Sequence, residues 1–348
     1  MQRSVRLPRD EHAHRVQYEW WYAHGYLENE AGRRYGFMLC FFKFDAATIK
    51  RFFPQFKPYP AKMLYQMTLG LTDVTGQTHH FDEHTFVPWP GHVGARRFGK
   101  LNVFFGHNHL RRVAPNRFSL SMQHHHRHLR LHFYDRKGPV LHGTRGVLSF
   151  PKSGSTVYYS HPRLTVHGAF EAAGPEGKKE AEFVRGSGWI DHQWGDFAAD
   201  QPFSFWNWTG IQLDDGSELM VYEPFLPDGT SAGCKVTWFG PKGERKVTKG
   251  IWKPGSHWTS PKSKITYPID HQISVPALDL ELTLRADVRD QEMYSSFFKY
   301  WEGSCSVIGK RAHKHITGKS YVELTGYDRL SPQGRRNRLG LKRQAVRP

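Results

Sequence analysis

FWNWTGIQL-DDG-SELMVY, residues 205–222, is the stretch of this chain that reads most plainly as structure. Phe205 to Leu213 and Glu218 to Tyr222 read as strands, with Asp214-Asp215-Gly216 as the turn between them. Asp-Gly favours a hairpin because it tolerates positive φ. The same grammar extends outward: Trp21 to Leu27, the turn-rich Glu28-Asn29-Glu30-Ala31-Gly32, and Arg34 to Phe44 form another hairpin. Strand-like runs recur at Met67 to Thr72, His128 to Tyr134, Thr156 to Ser160, Leu164 to Phe170, Lys235 to Phe239, Leu278 to Val288 and Tyr321 to Tyr327. The best candidate helix, Ala46 to Lys57, is broken by Pro54 and followed by Pro58 and Pro60. Many short strands at regular spacing predict an all-β protein, a sandwich or a barrel.

With 348 residues the chain has room for two domains of ordinary size. The polar, Gly- and Pro-containing segment Glu171 to Glu182 (EAAGPEGKKEAE) reads as a surface loop near their junction. The expected division is residues 1–184 and 185–330, followed by a basic, disordered tail at 331–348. That tail carries Arg335, Arg336, Arg338, Lys342, Arg343 and Arg347 without an acid, six of the seventeen net positive charges. The remaining excess is scattered, so the charge predicts no specific nucleic-acid partner, only a weak attraction to acidic lipid surfaces or polyanions. Cys40, Cys234 and Cys305 are too few and too far apart for a disulfide framework or a zinc knuckle. The N-terminus MQRSVRLPRD lacks an apolar signal region, and no run approaches the ~18 apolar residues of a membrane helix. A cytoplasmic setting is the default expectation.

Histidine is abundant, at 22 residues. The run from Gln123 to His132 resembles a metal tract, but as one strand it places His124, His126, His128, Arg130 and His132 on one face. Leu129, Leu131 and Phe133 take the other. A row containing Arg predicts a polar outer face rather than a metal site, and no metal is expected. Gly229-Thr230-Ser231-Ala232-Gly233 fits the serine-hydrolase pattern G-x-S-x-G, yet strand-like residues follow it instead of a helix, so it reads as a loop.

Aromatic residues make up 14% of the chain, including 11 Trp, and large flat side chains line ligand cavities as readily as they fill cores. Two clusters combine them with acids: Glu19-Trp20-Trp21-Tyr22, and Trp189-Ile190-Asp191-His192-Gln193-Trp194-Gly195 with Trp206 and Trp208 close behind. A carboxyl among indoles loses solvation and keeps its proton near neutrality. Asp191 is then a candidate proton donor, His192 its assistant, and Trp194, Trp206 and Trp208 shields for a cation. The alternative is that Asp191 and His192 merely bond each other and the backbone to pin a barrel end.

The same residues carry a family resemblance. Glu19-Trp20-Trp21-Tyr22 with Gly25 is followed by Tyr35-Gly36-Phe37, Phe41-Phe42, Gly143 to Gly146, Tyr158-Tyr159-Ser160 with Pro162, and Asp191-His192-Gln193-Trp194. Leu213 to Gly216, Leu219-Met220, Tyr300-Trp301-Glu302-Gly303 and Tyr321 to Tyr327 complete the order. Over roughly residues 7–328 the chain resembles the AttH-type, carotenoid 1,2-hydratase-like family. The resemblance implies two consecutive lipocalin-like β-barrels enclosing an apolar small molecule, with no cofactor. It implies a hydro-lyase, isomerase or cyclase acting on a lipophilic isoprenoid or polyene, or else a carrier without catalysis. Carried over, the family's motif makes His192 and Trp194 catalytic, with Asp191 beside them and Tyr222 as the downstream Tyr. Glu19, Trp20, Trp21, Tyr22, Tyr159, Trp206 and Trp208 become substrate-binding candidates. The family's downstream Asp has no match, because Glu223 directly follows Tyr222 and must point to the opposite face.

Overall fold

The computed structural model describes residues 5–47, 50, 57, 62–86, 91–96, 99–124, 127–150, 154–173, 179–197, 205–226, 228–296, 298–328 and 339. Two compact units divide the chain: Met1–Gly76 with His80–Pro202, and Gln77–His79 with Phe203–Pro348.

The first unit is an antiparallel sheet of β1 (Tyr18–Asn29), β2 (Arg34–Asp45), β3 (Met63–Asp73), β4 (Thr78–Phe86), β5 (Val93–Ala95), β6 (Asn102–Phe105), β7 (Asn108–Ala114), β8 (Arg117–His124), β9 (Arg127–Asp135), β10 (Val140–Leu141), β11 (Val147–Phe150), β12 (Gly154–Ala173) and β13 (Lys179–Phe197). Its order is β4-β3-β2-β1-β13-β12-β9-β8-β7-β6-β5, with β10 and β11 paired to β12. The sheet curls as an open half-barrel. Strict alternation builds its core: Trp21, Ala23 and Leu27 of β1, Phe37, Leu39 and Phe41 of β2, and Leu129, Leu131 and Phe133 of β9 all face inward. Each Leu or Phe among them contributes about 2 kcal/mol by leaving water.

The second unit contains β14 (Phe205–Leu213), β15 (Glu218–Phe225), β16 (Cys234–Phe239), β17 (Arg245–Pro254), β18 (His257–Thr259), β19 (Thr266–Pro268), β20 (Asp270–Val275), β21 (Leu280–Ala286), β22 (Glu292–Tyr294), β23 (Lys299–Arg311) and β24 (Lys314–Leu324). Strands β14, β15, β16, β17, β20, β21, β23 and β24 pair in a ring, and the β21–β23 ladder closes it as an eight-stranded barrel. Closure removes the free edges an open sheet exposes. The protein is therefore all-β with two lipocalin-like domains, one closed and one curled.

Three expectations change. The boundary at 184/185 falls inside β13, which is laddered to β1 on one edge and β12 on the other. The polar segment Glu171–Glu182 lies within the first unit and not at a junction, since β12 runs to Ala173 and β13 starts at Lys179, and residues 174–178 lie outside the described residues. The histidine run is not one strand, since β8 ends at His124 and β9 begins at Arg127. His124 is buried, while His128, Arg130 and His132 alternate with the inward Leu129, Leu131 and Phe133. His125 and His126, most of Ala46–Lys57, and the basic tail apart from Leu339 lie outside the described residues. Among the described residues no helix is long and apolar enough to cross a membrane.

Candidate active site

Strand β13 sits between β1 and β12, so most of its residues from Val184 to Gly195 have two cross-strand neighbours. His192 lies opposite Trp21 on one side and Tyr159 on the other. Alternation turns His192, Trp194 and Ile190 to the concave interior and Trp189, Asp191 and Gln193 to the outer face. The imidazole of His192 stacks on Trp21 at 4.9 Å between centroids and leans on Trp194 at 4.5 Å. Its Nε2 donates to Glu19 Oε1 at 3.0 Å, and its Nδ1 meets the hydroxyl of Tyr159 at 3.2 Å. Glu19 is fully buried yet richly bonded. It accepts from the backbone and the Nδ1 of His14, and from the ammonium of Lys43, which also reaches the His14 carbonyl. His14 in turn stacks on Trp194, 4.1 Å apart and nearly parallel.

The charges follow from these contacts. Burial alone acts to raise the Glu19 carboxyl, but hydrogen bonds from His14 and His192 and the nearby positive charge outweigh it and hold it down at about 2. Burial lowers His192 to about 4 against the pull of Glu19, so the ring is neutral near pH 7. A neutral imidazole that donates through Nε2 must accept at Nδ1, and Tyr159 is therefore the donor there. Lys43 sets its side-chain nitrogen against the other carboxylate oxygen of Glu19. Burial pushes the Tyr159 hydroxyl well above its ordinary range. Glu19, His192 and Tyr159 thus form a buried carboxylate–imidazole–phenol relay walled by two indoles. A cavity of about 330 Å³ abuts it, lined by His14, Lys43, Asp45, Met63, Tyr65 and Asp196 among others.

The outer face of β13 carries a separate network. Asp191 accepts from Tyr158 at 2.7 Å, from Trp189 Nε1 at 2.5 Å and from the Ser160 hydroxyl, and His142 bonds Ser160 at 2.6 Å. Burial raises Asp191 to about 7 despite these three donors. The elevated pKa agrees with the sequence reading, but the assistance of Asp191 by His192 does not survive. Neighbours on a strand face opposite ways, and the two groups belong to different networks.

Comparison with known proteins now bears on this arrangement. A family model described as AttH-like matches residues 1–327. The chain belongs to the AttH-like family. Among solved structures, an AttH protein of Nitrosomonas europaea is 23% identical, covering 93% of this chain and 98% of that one, with a TM-score of 0.78. Kievitone hydratase of Nectria haematococca is 16% identical over 89% of this chain and 90% of its own, with a TM-score of 0.68. CghA bound to Sch210972 is 8% identical over 90% and 89%, with a TM-score of 0.55. No curated protein matches.

In this AttH-like chain the remaining candidates divide. Tyr22 lies on the outer face opposite Asp191, and Trp20, half-buried, leans on Phe42. Tyr222, Trp206 and Trp208 belong to the second unit, where Trp208 pairs across strands with Tyr222 and Glu323, and Trp206 Nε1 donates to Glu323 at 3.1 Å. Burial, and then Glu323, raises the Tyr222 hydroxyl. Glu223 does point away from Tyr222 and accepts from Ser231, whose G-x-S-x-G segment is a loop between β15 and β16. Sequence reasoning missed Lys43 and His14. Lys43 was legible, because the β1–β2 hairpin register sets it directly opposite Glu19. His14 lies outside any strand and carried no signal. His14, Glu19 and His192 also present one ligand atom each within 4.8 Å, but Glu19 Oε1 already bonds both imidazoles and Oε2 bonds Lys43.

Proposed function

We propose that this AttH-like chain is a cofactor-independent enzyme of the hydratase or cyclase type, acting by acid–base chemistry on a lipophilic isoprenoid or polyene. The observation that carries the reading is the relay itself: an imidazole held between indoles, with an ionised carboxylate on one nitrogen and a phenol on the other. The likeness to kievitone hydratase supports the class of reaction. A ring titrating near 4 is, once protonated, a stronger donor than an ordinary imidazolium. In hydration, that proton passes through Tyr159 to an alkene carbon, and the faces of Trp21 and Trp194 shield the cation. Water attacks the cation and returns its proton to the relay, so H and OH add across the double bond and the enzyme is unchanged. In cyclisation an internal alkene takes the place of water.

The test incubates the protein with an acyclic carotenoid and with a prenylated phenol in ¹⁸O-water, and follows product mass. His192→Gln lowers turnover by about 10²–10⁴-fold, the range general acid–base groups supply, and Tyr159→Phe follows it. Asp191→Asn keeps turnover because that side chain faces away. Full activity in His192→Gln refutes the relay. A carrier of an apolar molecule would return every ligand at its original mass.

A further inference from the structure

A second carboxylate–imidazole pair lies in the first unit, outside the relay. His161 Nδ1 donates to Asp135 Oδ2 at 2.6 Å, and the two side chains are 2% and 1% exposed. Asp135 is itself fixed, its other oxygen accepting from the backbone of Gly138 at 2.8 Å and Lys137 at 3.1 Å. Burial acts to raise Asp135, but the hydrogen bond from His161 and those two N–H groups hold it below the usual carboxylate range. With the Nδ1 proton committed, Nε2 is the only polar atom left on the ring. Among the described residues it meets no hydrogen-bond partner. Its ring instead sits edge-on to Phe118 at 4.9 Å and to Tyr159 at 5.8 Å. The β12–β13 register shifts between His161 and Leu164, where Pro162 interrupts the ladder, and bulges of this kind re-aim a side chain.

A buried, anchored imidazole with an unpaired nitrogen is costly unless something pairs with it. We infer that His161 is a ligand-binding residue that accepts a hydrogen bond from a hydroxyl, so the ligand is an isoprenoid or polyene alcohol or phenol and not a bare hydrocarbon. This rests on the reading that the first unit binds a lipophilic molecule. Tyr159 stands between the two imidazoles, edge-on to His192 at 5.4 Å as well as to His161. A hydroxyl bound at His161 therefore anchors the molecule on the far side of Tyr159 from the relay.

The probes are geraniol and its methyl ether, which differ only in the hydroxyl proton. Affinities come from Trp fluorescence, and the ring nitrogens of His161 from ¹⁵N-histidine spectra assigned against His161→Phe. The wild-type chain binds geraniol about tenfold more tightly, the value of one neutral hydrogen bond, and its His161 Nε2 resonance moves with geraniol alone. His161→Phe binds both probes equally. Equal affinities in the wild type, discrimination retained in His161→Phe, a resonance indifferent to geraniol, or no binding of either probe overturns the inference. The spectra need no variant chain to fold beyond their assignment, and both readouts report binding. Equal probe affinities in the wild type with His192-dependent turnover intact sink the subsite alone, and the reverse result sinks the relay alone.

Discussion

Glu19→Gln is the most informative single change, because it removes a charge and almost no volume. In the folded protein Glu19 titrates near 2 instead of 4.5. At about 1.4 kcal/mol per pH unit, that difference is worth about 3 kcal/mol of stability at neutral pH. Since the folded pKa is the lower one, the contribution is complete above about pH 4.5 and is lost as the pH falls through about 2. Glutamine also strands the ammonium of Lys43, which is only 4% exposed, and breaking a buried pair costs about 3–5 kcal/mol. Urea unfolding followed by Trp fluorescence should therefore show a loss of about 3–5 kcal/mol at pH 7, shrinking by pH 3. The double variant Glu19→Gln/Lys43→Met should recover part of that loss, because no unpaired cation remains. A loss under about 1 kcal/mol, or one that does not change with pH, would refute the claim that this carboxylate is buried, ionised and paired.

Other outcomes can be checked independently. Asp191 titrates near 7 instead of 3.8, so the stability linked to it is complete below about pH 3.8 and is lost as pH rises through about 7; Asp191→Asn should abolish that slope in unfolding measured from pH 4 to 8. Gly186→Ala would place its Cβ 1.8 Å from the Tyr26 carbonyl across the β1–β13 ladder. It should cost about 1–3 kcal/mol or more in urea unfolding, and an unchanged midpoint would mean the ladder is not as tight as described. Because the Lys43 nitrogen already bonds Glu19, exhaustive dialysis against a chelator should leave turnover unchanged, and restoration by added zinc would contradict that role.

Much of the fold was readable from local pattern. Asp214-Asp215-Gly216 and the turn-rich Glu28–Gly32 set two hairpins, and both exist as β14–β15 and β1–β2. The two aromatic-acidic motifs supply Glu19, Trp21, His192 and Trp194, which the structure brings together with Tyr159. The opposed facing of Asp191 and His192 follows from the same two-residue alternation that separates Tyr222 from Glu223, once the segment is known to be a strand.

Composition and alternation, then, determined that this chain is all-β and which residues share a face, because those properties depend only on neighbours along the chain. Which faces meet was decided by the tertiary structure. Glu19 finds His192 across 173 residues, Asp135 finds His161 across 26, and β21 closes on β23. The physical reason is that register between distant strands is chosen by the whole core packing at once. A carboxylate acquires its charge, and an imidazole its free nitrogen, only after that choice is made.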